Sequence, residues 1–370
     1  MQRTNRRTLL AGALLALLLT FLLGYCSGTA ENPDRVSLTG PAGTRPAGAS
    51  PRSPSPSPSP SPSPSPGPTP AHTRPASPTP SAAATGTPGA GAAPGGPCAS
   101  PGACGFPDAG DTGPRIPLTP HKVGLLEITT NGTTISGWDI TGALDIYADN
   151  VTVIDSRITS SNWWGINLRA GFSGLRVLHS TITGVPGKGP DNGGEDYAIS
   201  NMGGSSIEVG WNNISVFGDA LSMGQGDLHD NYVHDIVPFV NLDGQYQHTD
   251  AVISDGGNSG TLTIRHNTLL NPTDAAHGAS ASIGLYADTG DVANCVVDDN
   301  WLAGGAYSLY GGGAGANGIR VTDNVFSTEY FPGAGVYGPV AYWNAGGRGN
   351  VWSGNRMSDG TALAPPPPTG

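Results

Sequence analysis

The sequence predicts an all-β fold, a single-stranded parallel solenoid with an Asn/Ser ladder along one corner. Three observations predict it. A phrase of the form [Asp/His]-[Asn/Ser]-x-apolar returns eight times between residues 155 and 357, two copies departing at the first slot. A short alternating strand precedes most copies, as in Leu175-Arg176-Val177-Leu178, Leu262-Thr263-Ile264-Arg265 and Ile319-Arg320-Val321-Thr322. Gly-rich turns lead into those strands, and no apolar pattern of helix length interrupts them. Self-similarity at a period of roughly 20–50 residues marks a solenoid. Strands separated by Gly/Asn turns suit a β-helix better than a propeller, whose blades need four strands each.

In chain order, residues 1–30 read as a signal peptide or a membrane/lipid anchor. Arg3, Arg6 and Arg7 precede an apolar run from Leu9 to Gly24, and Gly28-Thr29-Ala30 offers small residues for cleavage. Residues 31–97 are dominated by Pro, Ser, Thr, Ala and Gly, with strict Ser-Pro alternation from Ser53 to Pro66. Such a composition cannot bury a core, so this segment reads as a disordered stalk. Cys98 and Cys104 bracket a tight Pro/Gly loop and are expected to form a disulfide in an exported protein. Cys295 sits where other coils carry Leu or Ile, and reads as a small buried thiol. The solenoid domain spans 98–360, and 361–370 is a Pro-rich tail. An extracellular monomer, secreted or tethered to the cell surface, is the expectation.

The ladder phrases are Asp155-Ser156-Arg157-Ile158, His179-Ser180-Thr181-Ile182, Trp211-Asn212-Asn213-Ile214 and Asp230-Asn231-Tyr232-Val233. They continue as His266-Asn267-Thr268-Leu269, Asp299-Asn300-Trp301-Leu302, Asp323-Asn324-Val325-Phe326 and Gly354-Asn355-Arg356-Met357. Coils stack about 4.8 Å apart, so an amide at one corner can bond its copies above and below. On this pattern the chain, over residues 120–358, resembles the right-handed parallel β-helix proteins of the pectin-lyase-like superfamily. That resemblance implies a right-handed parallel β-helix. It leaves the chemistry open, because fold does not fix function.

Charge narrows the partners. From residue 98 onward the chain holds 10 Lys+Arg against 26 Asp+Glu, a net charge of −16. Nucleic acid is excluded, since a phosphate footprint needs the opposite sign. A polyanionic glycan would need calcium or a basic patch, whereas a neutral extracellular polysaccharide or cell-wall glycan meets no such barrier.

Excess coil length falls at one corner, in the insertions 184–195, 235–249, 271–280 and 327–338. Insertions at one corner stack into a wall, often on the binding face. The strands that follow them open with Asp196, Asp219 and Asp250, which one alignment places at a single position. Neighbouring carboxylates would lie about 5 Å apart and the outer pair about 10 Å apart, distances that bracket the two glycosidase geometries. His248-Thr249-Asp250 is similar to the Asn-Thr-Asp strand opening of polygalacturonase-type β-helix glycosidases, and Gly218-Asp219-Ala220 to their second aspartate strand. The resemblance implies catalytic roles for Asp250 and Asp219. The chain departs from that pattern in the order of the two strands and in lacking Gly-His-Gly and Arg-x-Lys elements.

The expected catalytic set is therefore Asp219 and Asp250, with Asp196 and His248 supporting. An aspartate opening a strand can equally cap the turn before it. Tyr246, Tyr286 and Trp343 are expected to stack on sugar rings, with Asn167 also binding substrate. The run Asp191-Asn192-Gly193-Gly194-Glu195-Asp196 could hold calcium through Asp191, Glu195 and Asp196. Arg169 could clamp a carboxylate, serve as the base of a calcium-dependent β-elimination, or pair with a neighbouring acid. His179, His229, His234 and His266 flank ladder phrases and read as solvated corners. The expectations are a polysaccharide hydrolase first, a lyase second, and a non-catalytic glycan-binding or structural surface protein third.

Overall fold

The computed structural model describes residues 96–201 and 204–367, and the backbone strand Arg35–Leu38. The segment expected to be a signal or anchor lies outside the described residues, as does nearly all of the stalk. Arg35–Leu38 pairs in parallel with Leu125 to Ile128, adding one strand to the first sheet edge.

Each coil contributes three strands to three parallel stacks, which makes the domain a parallel β-helix. The first stack is a sheet of nine strands in strict chain order, from Thr134–Ser136 to Val351–Ser353. The ladder stack runs Arg157–Ser160, Thr181–Gly184, Asn213–Ser215, Tyr232–His234, Thr268–Asn271, Trp301–Gly304, Val325–Ser327 and Arg356–Met357. The third stack follows the insertions: Trp164–Leu168, Tyr197–Asn201, Asp219–Ser222, Thr249–Ser254, Ala279–Leu285, Tyr307–Gly311 and Gly338–Ala341. It carries the candidate site. Two long opening strands, Thr119–Ile128 and Trp138–Ile146, pass through the corner between the last two stacks.

The core follows from the period of the coil. Leu144, Ile166, Ile199, Leu221, Val252, Ile283 and Leu309 occupy one register column and are buried. A fully buried aliphatic side chain contributes roughly 1.5–3 kcal/mol, and each coil adds such residues from all three stacks. Cys295 belongs to this core as a free buried thiol.

The repeated phrase has a conformational cause. Its first residue has positive φ in every coil, from 44° at His179 to 67° at Gly354. A left-handed residue turns the chain sharply from the first stack into the ladder, and Asp is among the residues that tolerate that region best. The second residue then points inward. Asn212, Asn231, Asn267, Asn300 and Asn324 each donate Nδ2 to the Oδ1 of the next ladder asparagine at 2.9–3.0 Å. The same Oδ1 atoms accept the backbone N–H of the preceding ladder residue at 2.9–3.1 Å. Ser156 and Ser180 continue the column with their hydroxyls.

Residues 98–118 form a strap laid antiparallel to the coil order along this corner. Cys98 N–H donates to Ser358 O at the last coil. Phe106 packs on Trp301 and His266, and the His266 ring contacts Gly105 O at 3.1 Å. Gly113 N–H donates to Trp211 O, and Arg115 grips Asp155 with two bonds of 2.8 Å. The strap thus touches both ends of the solenoid before the chain enters the first coil. The expected Cys98–Cys104 disulfide is present at the start of the strap.

Two sequence expectations change here. His229 is no solvated corner: it is buried against Trp211 and bonded to Asp230. The tail is not wholly separate, because Leu363 N–H donates to Asn355 O and accepts Trp352 Nε1–H on its carbonyl.

Candidate active site

The insertions do form a wall over the third stack. Asn192 Nδ2 of the first insertion donates to Val240 O of the second at 2.9 Å. Tyr246 of the second meets His277 of the third edge-on, with ring centres 5.2 Å apart. Phe239 lies over Gly194 and edge-on to Trp163. A side chain at Gly194 would collide with the Phe239 ring, so only glycine permits this closure.

Beneath the wall, Asp219 and Asp250 are register partners on adjacent strands. Asp196 does not share their position. Ile199 pairs with Leu221 and Ser200 with Ser222, which sets Asp196 one residue ahead of Asp219. On the preceding coil Trp163 O receives the N–H groups of both Asp196 and Tyr197. Gln247 joins the carboxyls nevertheless, its Nε2 lying 3.0 Å from Asp196 Oδ1 and 3.5 Å from Asp219 Oδ2. Gln247 Oε1 accepts Asn241 Nδ2–H at 2.9 Å, so this amide is oriented from within its own insertion. Tyr286 OH donates to Asp250 Oδ1 at 2.9 Å.

Burial dominates the electrostatics. Asp219 is 2% and Asp250 0% exposed, and one oxygen of each, as of Asp196, is buried without a hydrogen-bond partner. Desolvation pushes Asp196 up to about 7. It holds Asp219 and Asp250 well above the usual carboxylate range, and the charges of neighbouring aspartates add to the effect. The Tyr286 hydroxyl opposes the shift at Asp250. Asp219 has the long Gln247 contact and the backbone N–H of Asp250 but no hydroxyl like that of Tyr286, and is the better proton holder. Glu195 is also buried and is pushed up to about 8, with Val185 N–H on its Oε1.

The other expected site residues scatter. His248 lies at the mouth of the Asp250 strand, where desolvation lowers its imidazole pKa. Arg169 Nε and Nη2 bind Asp145 at 2.9 and 2.6 Å, and its guanidinium lies 4.8 Å from the Trp164 ring centre. The guanidinium is thereby held above its ordinary pKa, the opposite of what a base requires. Asn167 donates to the same Asp145, two coils from Asp219. Trp343 is not on the surface: it is buried among core residues and packs on Trp352. Asp191, Glu195 and Asp196 do not converge either. Among the described residues no group of three or more His, Cys, Asp or Glu side chains is arranged to hold a metal ion.

The structure adds residues that sequence reasoning missed. Gln247 carried no repeat signal, because it lies on an insertion. Tyr307, Tyr310, Tyr337 and Tyr342 gather beside Tyr286 on the last coils. The common face of these five tyrosines depends on coil register, which the sequence alone does not display. No family model, curated protein or solved structure matches the chain, so its parallel β-helix fold is shown without a relative to supply its chemistry.

Proposed function

We propose that this protein is a secreted or surface-tethered β-helix that hydrolyses glycosidic bonds of an extracellular polysaccharide, with Asp219 and Asp250 as the acting carboxyls. The observation that carries the reading is their pairing in register under the insertion wall. Adjacent strands lie about 4.8 Å apart, on the side of the glycosidase ranges where one carboxyl attacks and the other protonates. Asp250, whose carboxylate the Tyr286 hydroxyl supports, takes the nucleophile role, and Asp219 the acid. The partial likeness of His248-Thr249-Asp250 and Gly218-Asp219-Ala220 to strands of polygalacturonase-type glycosidases supports these two aspartates as the acting carboxyls.

Both carboxyls are sealed in this conformation, so turnover requires the 235–249 insertion to lift Gln247 from Asp196 and Asp219. The full chain, incubated with neutral and uronic-acid polysaccharides, should release products carrying added water, read by mass. Asp219→Asn and Asp250→Asn should each lose at least about a hundredfold in kcat while keeping the native circular dichroism. Full activity in both variants would end the reading. The burial of the carboxyls favours one alternative, a glycan-binding protein without turnover; retained binding with no product after long incubation would establish it.

A further inference from the structure

Beyond Tyr286, the third stack carries a row of tyrosines that the acid chemistry does not use. Its rings connect without a gap. Tyr286 lies 5.1 Å from Tyr310, Tyr310 lies 5.5 Å from Tyr307 and 5.7 Å from Tyr342, and Tyr307 lies 5.9 Å from Tyr337. The row begins at Asp250, through the Tyr286 hydroxyl, and ends on two rings open to solvent, Tyr337 at 65% and Tyr342 at 56% exposure.

The backbone is shaped to present these rings. Tyr342 has φ of 54°, a conformation a bulky residue rarely adopts. That turn sends Tyr342 outward onto Tyr310 while Trp343 enters the core. Strain of this kind persists where the surroundings enforce it, and concentrates at binding sites. At the other end Gly284 lets Tyr286 lie against the strand, since a Cβ there would sit 2.2 Å from the ring.

Charge selects the ligand. The strands Thr249–Ser254, Ala279–Leu285, Tyr307–Gly311 and Gly338–Ala341 contain no Lys or Arg. Asp255 and Asp288 belong to the adjoining turns, in a domain of net charge −16. An aromatic face with phenolic edges and no cation suits the apolar faces and hydroxyls of uncharged sugars, and repels uronates.

We propose that Tyr307, Tyr310, Tyr337 and Tyr342 form a binding track for a neutral polysaccharide chain, running along the solenoid axis from Asp250 toward the last coil. The direction of the chain rests on the hydrolase reading; binding itself does not. The test is affinity electrophoresis of the full chain in gels containing xylan, a mixed-linkage β-glucan, galactan or polygalacturonate, repeated with the Tyr337→Ala/Tyr342→Ala double variant. The native protein should be retarded by at least one neutral polymer and not by polygalacturonate. The double variant should weaken that retardation about tenfold, and Tyr342→Phe, which keeps the ring, should preserve it. Equal retardation of native and double variant, preference for polygalacturonate, or no retardation by any neutral polymer would overturn the track. Product release is scored separately. Tyrosine-dependent binding without product sinks the hydrolase reading and leaves the track standing, whereas product release with tyrosine-independent binding does the reverse.

Discussion

Asp219 and Asp250 are distinguished less by position than by what each hydrogen-bonds. Tyr286 holds an oxygen of Asp250 and lowers a pKa that burial raises. Tyr286→Phe removes a bond of the charged kind, worth about 1.5–3 kcal/mol, or about one to two pH units. The acidic limb of kcat/KM should therefore move to higher pH by that amount; an unmoved limb would mean that Asp250 is not the nucleophile whose ionisation sets it. Glu195 tests the folded state itself. Its carboxyl is pushed up to about 8 from an ordinary value of 4.5. Between those values the folded chain keeps a proton that the unfolded chain loses. This contribution is thus intact below pH 4.5 and disappears as pH rises through about 8, at up to about 1.4 kcal/mol per pH unit. Glu195→Gln, whose amide oxygen can still accept the Val185 N–H, should flatten the fall of urea midpoints from pH 5 to pH 8 (about the window in which this group differs). A slope equal to the native one would refute it. The sequence showed Asp219 and Asp250 as partners because each opens a strand of the same repeat. It misplaced Asp196, since a one-residue offset in where a strand opens leaves the composition unchanged. It sent Trp343 outward for a similar reason: nothing in Val340-Ala341-Tyr342-Trp343 announces a left-handed residue.

Among the elements, the ladder and the strap show opposite degrees of legibility. Every ladder position was readable, because the corner repeats the same problem in each coil and Asn solves it in six. Asn267 donates Nδ2 to Asn300, Leu228 and Arg265, while its Oδ1 receives the backbone N–H and Nδ2–H of Asn231. Asn267→Ala strands groups on both neighbouring coils and should cost roughly 3 kcal/mol or more. Asn355, at the end of the column, should cost less when changed in the same way. Denaturant midpoints for the two variants decide the matter, and equal losses would show that the ladder does not act as a connected column. The strap left no such signature. Residues 98–118 contain no repeat, and their partners Trp211, His266 and Asp155 come from three separate coils. What the sequence presented as a variable first slot, Asp, His or Trp, is the seat on which the strap rests.

At the scale of the molecule, each coil touches mainly the one before and the one after, so stability is a sum of local interfaces rather than a single core. Opening should begin at the ends. Amide exchange should be slowest in the central strands Gly226–His229 and Leu262–Arg265 and faster in Val351–Ser353. Uniform protection throughout the solenoid would instead indicate that the strap welds all coils into one cooperative unit. The path of that strap has a mechanical consequence. Cys98 is fastened beside Ser358, at the far end from the coil where the chain enters the solenoid, whereas Arg35–Leu38 pairs at that entry coil. A load applied at Cys98 along the axis pulls on the Phe106, Gly113 and Arg115 attachments together, as shear. The same load applied sideways lifts the Ser358 attachment first and the others in turn. A domain held by such a leash yields easily to peeling and resists being drawn straight out.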